Sequence, residues 1–255
     1  TQEPKKEEET EVEPRTGLKV PRQVLGQPLV GTSARSVTFL GFLTYAFALY
    51  RDGSKWSLKD VEAIIPGLIE DPSGTTLRIT TYRDIDCTHF CSSINAGAVP
   101  RMKKTLESSL QLEANKAAEQ AEAVGNEFRA IFKSNDLPAN TAVDFAISRP
   151  NPKSNETRVT VYVNGIQEGH VDGSLFTNAL VAMYFGADPR SKEIQSGIQS
   201  YLNKAKQINS TNQLNLSAQL AHKDKDSHIK VIFPAPHFAC GFTTVFNSLD
   251  WLSIV

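Results

Sequence analysis

An arginine and a tyrosine sit where few polar groups belong. Arg35 and Tyr45 lie within residues 31–51 (GTSARSVTFLGFLTYAFALYR), a run of mostly apolar, β-branched and aromatic residues. A guanidinium is a planar fork of donors that keeps its charge and matches a carboxylate. A phenol adds one further donor. A cation and a phenol in so oily a run are the first residues at which to look for function. A plainer reading stands beside it: Arg35 opens a strand and pairs with an acid such as Asp144 or Asp172, while Tyr45 is core with its hydroxyl on a carbonyl. Arg78, alternating with Leu77 and Ile79, either faces the same cleft as Arg35 or points to water.

Other reactive residues cluster just downstream. Arg83, Asp86 and His89 are spaced i, i+3, i+6 across a strand-to-helix junction, a pattern that serves a structural network there or catalysis. Cys87 and Cys91 flank His89, but a structural zinc site needs four ligands and no second CxxC or HxxxH completes a set. We read no metal, and buried thiols acting as small hydrophobes. With three cysteines in all, reduced thiols are the default rather than a disulfide framework.

The elements that must position these groups follow from periodicity. In residues 31–51 the period-two faces are Val37, Phe39, Leu43, Tyr45, Phe47 and Leu49 on one side, and Leu40, Phe42, Ala46 and Ala48 on the other. Both are apolar, so the segment predicts the centre of a sheet covered on both sides. An edge strand is expected over 16–28, and a helix from about Ser57 with Ser57 as its cap. A strand is expected over 75–83, then a helix capped by Asp84 or Asp86 that Pro100 kinks or ends. An Ala- and Glu-rich helix over 113–133 carries Phe128, Ile131 and Phe132 on its apolar face. Strands follow with Val143, Phe145, Ile147 and with Val159, Val161, Val163 inward, and Asn164-Gly165 signals a hairpin. A helix over 174–185 ends at Gly186, and a last one starts at Asp188-Pro189 and reaches about Lys206. This order predicts an α+β protein with a large antiparallel sheet and helices on one face. Residues 1–14 read as a disordered acidic tail, 15–207 as the folded domain, and 208–255 as an extension of unassigned structure.

Composition removes several function classes. Among 255 residues, 27 Lys and Arg face 28 Asp and Glu, for a net charge of -1, which leaves no basic surplus for nucleic acid. No apolar run approaches the roughly 20 residues that span a bilayer. The chain therefore reads as soluble, and no leader segment is visible in it.

Three blocks in register resemble the chalcone isomerase family. GTSARSVTFLGFLTYAFALY is similar to its first hairpin, LRITTYRDIDCTHF to a run in its non-plant and fungal members, and LFTNALVAMYFGADPRSKEIQSG to its late helix. The resemblance spans about residues 16–205 and implies an open-faced β-sandwich enclosing an apolar cleft. It places the catalytic arginine of the plant isomerases on Arg35, their lysine on Arg78, their threonine on Tyr45 and their tyrosine on Cys87. Their asparagine has an approximate counterpart in Asn95, and the late threonine or serine falls near Met183. True isomerases close a chalcone by adding a phenolate to an enone, with an arginine and hydroxyl donors stabilising the developing enolate. Here Arg35 is kept while most hydroxyl donors are changed. Fatty-acid-binding members of the family resemble the Arg35 and Tyr45 pattern instead. The expectation is thus a binder of a small apolar anion, such as a fatty acid, without turnover. An active isomerase (intramolecular lyase) and a haem-binding or structural mitochondrial protein are the alternatives. The likeness to fungal mitochondrial members implies a mitochondrial address, against a cytoplasmic one. If haem binds, it implies His89 or His170 as axial ligand.

Overall fold

Strict alternation along the strands decides which side of the sheet is oily. The computed structural model describes residues 9–36, 43–55, 61–133, 136–189 and 192–226. The chain divides into two compact units, Thr1–Thr211 and Asn212–Val255; the first is described here, and of the second only helix backbone at 212–226. The expected hairpin tip with Val37, Phe39, Leu40 and Phe42, and the expected cap Ser57, lie outside the described residues.

The strands are β1 (Thr10–Val12), β2 (Lys19–Pro21), β3 (Gln23–Val24), β4 (Gln27–Ser36), β5 (Leu43–Arg51), β6 (Thr75–Thr81), β7 (Ile85–Asp86), β8 (Asp136–Leu137), β9 (Ala142–Ser148), β10 (Arg158–Val163) and β11 (Ile166–Asp172). The helices are α1 (Val61–Glu70), α2 (Cys87–Ser109), α3 (Ala114–Ile131), α4 (Ser174–Phe185) and α5 (Lys192–Asp226). Seven strands form one antiparallel sheet in the order β11-β10-β9-β6-β5-β4-β3. Asn164 and Gly165 both adopt positive φ at the β10–β11 turn, the conformation a tight two-residue hairpin needs.

Cross-strand register aligns Phe47 with Ile79, Leu49 with Leu77, Leu77 with Phe145 and Phe145 with Val161. All of these residues are buried in one core with α1 to α4 and with Ile194, Ile198 and Leu202 of α5. Complete burial of side chains of this size is worth about 1.5–3 kcal/mol each. The opposite face is closed in part by the N-terminal strands, where Val20 and Val24 pack on Ala48 and Tyr50. The Tyr50 hydroxyl donates to the Pro21 carbonyl at 2.9 Å. Arg51, at the end of β5, donates to the carbonyls of Ile64, Gly67 and Asp71 and so closes the C-terminus of α1.

Four local expectations change. Within the expected tail over 1–14, β1 pairs with β2, and the buried Glu13 carboxylate accepts from the Arg15 and Thr16 backbone and the Thr16 hydroxyl. Those three donors explain why an acid can leave water there. The 16–28 strand is broken into β2 and β3. Helix α2 runs through Pro100 without ending, because the carbonyl that loses its partner, four residues back, belongs to Ala96, which is exposed. The last helix continues past Lys206 to Asp226.

Candidate functional site

Arg35 and Tyr45 are direct cross-strand partners in the β4–β5 ladder. Their register puts them on the helix-covered face, in line with Phe47 and Leu49. Just beyond them the ladder slips, pairing Ser36 with Leu43 and leaving Thr44 without a partner on β4. Such a bulge re-aims side chains near a strand end.

Arg35 Nη1 donates to the Tyr45 hydroxyl at 3.2 Å, and its guanidinium carbon lies 5.9 Å from the Tyr45 ring centroid. The arginine is half-buried and the tyrosine buried. Because the Tyr45 oxygen accepts from arginine, its own O–H proton stays available to a ligand. No carboxylate lies within ion-pair distance of Arg35 among the described residues. Both expected acids are engaged elsewhere, Asp144 with Arg78 and Asp172 with Arg158. Burial works against the Arg35 charge, but Tyr45, Tyr184 and Glu193 outweigh it and raise its pKa above the ordinary value. The guanidinium is a permanent cation.

Two neighbours escaped the sequence reading. Tyr184, fully buried, sets its ring 4.7 Å from Phe47 on the same face. It stands one residue past Met183, whose side chain is packed in the core. Only the phase of α4 against the sheet separates the two; the signal was a lone phenol in an apolar helix. Glu193, in the first turn of α5, accepts from the Ser36 backbone N–H at 3.0 Å and from the Ser36 hydroxyl at 2.8 Å. Its carboxyl is held below the usual range chiefly by that backbone bond. The partner lies 157 residues away in sequence, beyond the reach of local patterning.

The remaining predicted residues do not join Arg35. Arg78 alternates onto the opposite face of the sheet, where it meets Asp144 in a two-pronged ion pair, Nε–Oδ1 2.6 Å and Nη2–Oδ2 2.8 Å. It therefore faces neither the Arg35 side nor open water, with side-chain exposure of 13% against 2% for Asp144. Asn95 donates to the Gly125 carbonyl at 2.8 Å where α2 crosses α3. The crossing is close enough that a Cβ on Gly125 would meet Val99 Cγ2 at 3.0 Å. Cys87 opens α2 with its sulfur 4.0 Å from that of Cys91, and both are buried. Burial raises the Cys87 thiol and pushes that of Cys91 up to about 12, so neither is an activated nucleophile. Among the described residues no group of three His, Cys, Asp or Glu forms a metal site.

The Arg83, Asp86 and His89 junction reduces to helix capping. Asp86 accepts the His89 N–H at 2.9 Å, and Asp84 instead accepts from Ala139 N–H. His89 is exposed, and His170 is exposed on β11 at 3.5 Å from Asp172.

A groove of about 660 Å³ lies between the N-terminal strands, β4 and α5, lined by Glu11, Arg15, Leu29, Ser33, Tyr201 and Ile208 among others. Arg35 and Tyr45 are not among its walls.

Comparison with known proteins agrees with the fold. The model of a family described as chalcone isomerase-like matches residues 16–198. The crystal structure of an Arabidopsis thaliana fatty-acid binding protein superposes with a TM-score of 0.60 at 19% identity, covering 78% of this chain and 98% of that one. No curated protein sequence matches the chain. No helix of the described residues is long and apolar enough to cross a membrane.

Proposed function

The chain belongs to the chalcone isomerase-like family, and we propose that it binds a small apolar monoanion, a fatty-acid-like carboxylate, without turning it over. One observation carries the reading: a guanidinium on the helix-covered face, bonded to a phenol, with no carboxylate within ion-pair distance among the described residues. The ligand carboxylate takes the remaining N–H donors of Arg35 and the O–H of Tyr45. Its apolar body lies along the side of the sheet that carries Phe47 and Tyr184. The similar Arabidopsis structure, titled a fatty-acid binding protein, supports the choice of ligand class.

Ring closure of a chalcone is the weaker reading. It needs several donors around a developing enolate, and of the matched positions beyond Arg35 and Tyr45 two hold a buried thiol, Cys87, and a core thioether, Met183, while Arg78 is paired with Asp144 and Asn95 donates to the Gly125 carbonyl.

The test is isothermal titration of delipidated protein with decanoate, alongside absorbance decay of a 2′-hydroxychalcone. We expect saturable decanoate binding in the wild type, weakened at least tenfold in Arg35→Ala, and chalcone decay at the uncatalysed rate. Decanoate binding unchanged in Arg35→Ala removes the proposal, and accelerated chalcone decay replaces it with an isomerase.

A further inference from the structure

An acid beside a cation that is to receive an acid needs an explanation. Glu193 is fixed by two bonds from Ser36, the residue next to Arg35, and cannot swing away without breaking both. Its backbone is fixed as well, since the Ser33 hydroxyl donates to the Glu193 carbonyl at 3.0 Å. One turn on, Gly197 comes so near β4 that a Cβ there would run into the Ser33 hydroxyl. The carboxylate is thus a standing negative charge at the Arg35 end of the strand. Arg15 approaches it at 3.5 Å, and since the two side chains are about equally exposed, at 44% and 45%, solvent screens this pair and the field of Glu193 alike and leaves effects of a few-fold only.

We propose that Glu193 is a specificity-determining residue, which restricts the Arg35 and Tyr45 site to singly charged head groups and rejects dianions such as phosphate monoesters. The inference rests on the ligand reading above and adds the charge rule. A monoanion gains from Arg35 and loses a smaller amount to Glu193. A dianion doubles both terms, yet it has only one guanidinium to satisfy and must shed far more hydration to enter. Through-space repulsion at this range, in a partly solvated site, amounts to a few-fold in affinity per charge. To first order, removing Glu193 therefore helps a dianion by the square of what it gives a monoanion.

The experiment titrates the protein at pH 8.5 with decanoate, decyl sulfate and decyl phosphate below their micelle concentrations. Decyl sulfate has the shape of the phosphate with the charge of the carboxylate, which separates charge from geometry. In the wild type, decanoate and decyl sulfate should both bind more tightly than decyl phosphate. Glu193→Gln should tighten decyl phosphate about tenfold and the two monoanions about threefold, while Glu193→Asp keeps the wild-type order. Wild-type protein that prefers decyl phosphate to decyl sulfate overturns the rule without recourse to any variant. Equal gains for all three ligands in Glu193→Gln overturn it too. If decanoate binds but ignores Arg35→Ala, the site reading itself has failed, and the charge rule falls with it.

Discussion

Arg35 and Arg78 stand on neighbouring regions of one sheet and have opposite fates. Arg78 faces the side partly closed by the N-terminal strands, meets Asp144 directly across the β6–β9 ladder, and has its guanidinium 5.8 Å from the Tyr50 ring centroid. Arg35 faces the helices and meets a phenol. The first is a cation whose charge is answered within the fold; the second has no carboxylate within ion-pair distance among the described residues, and in the proposed function the ligand supplies it. The difference teaches that strand register, not residue type, decides whether an arginine on this sheet meets a carboxylate of the same chain.

The largest effect should come from breaking the answered pair. Asp144→Ala takes both charge-assisted hydrogen bonds from a mostly buried guanidinium and should cost about 3–5 kcal/mol of unfolding free energy, measured by urea denaturation. A loss under about 1 kcal/mol would erase the contrast. Arg35→Ala reverses the pattern: decanoate affinity falls about 10- to 100-fold, since charge-assisted hydrogen bonds are worth about 1.5–3 kcal/mol, while stability changes by less than about 1 kcal/mol.

Acid should separate answered charges from Arg35 in the same way. Partial burial of Asp71 opposes its charge, but bonds from Lys55 and Ser73 bring its pKa from 3.8 down to about 2. A folded-state value below the unfolded one contributes stability above about pH 4, lost as pH falls toward 2. The loss, on the order of 1–2 kcal/mol, should be absent in Asp71→Asn and unchanged in Arg35→Ala when melting is followed from pH 5 to pH 2. The smallest effect belongs to Tyr45→Phe, which removes one donor and should weaken decanoate about fivefold, or about 1 kcal/mol.

Much of this was legible in the sequence because it depends on alternation. Period two placed Tyr45, Phe47 and Leu49 on one face, and Asn164-Gly165 marked the β10–β11 hairpin. What stayed hidden depends on contacts between distant segments. Nothing near Arg78 announces Asp144, 66 residues on, and nothing near Ser36 announces Glu193, 157 residues on. The acid-rich start misled for a related reason: composition suggested solvated chain, yet Glu13 finds three donors within three residues of itself and stays buried.

The missing side chain at Gly197 has a consequence for inheritance of the pocket. A single methyl there would prise the helix off the strand and carry the neighbouring carboxylate away with it, although that carboxylate and all its hydrogen-bonding partners would be unaltered. Under the charge rule proposed above, discrimination between ligands would thus be lost by a change in a residue outside the Arg35 and Tyr45 pair, and its keeper is an absent side chain.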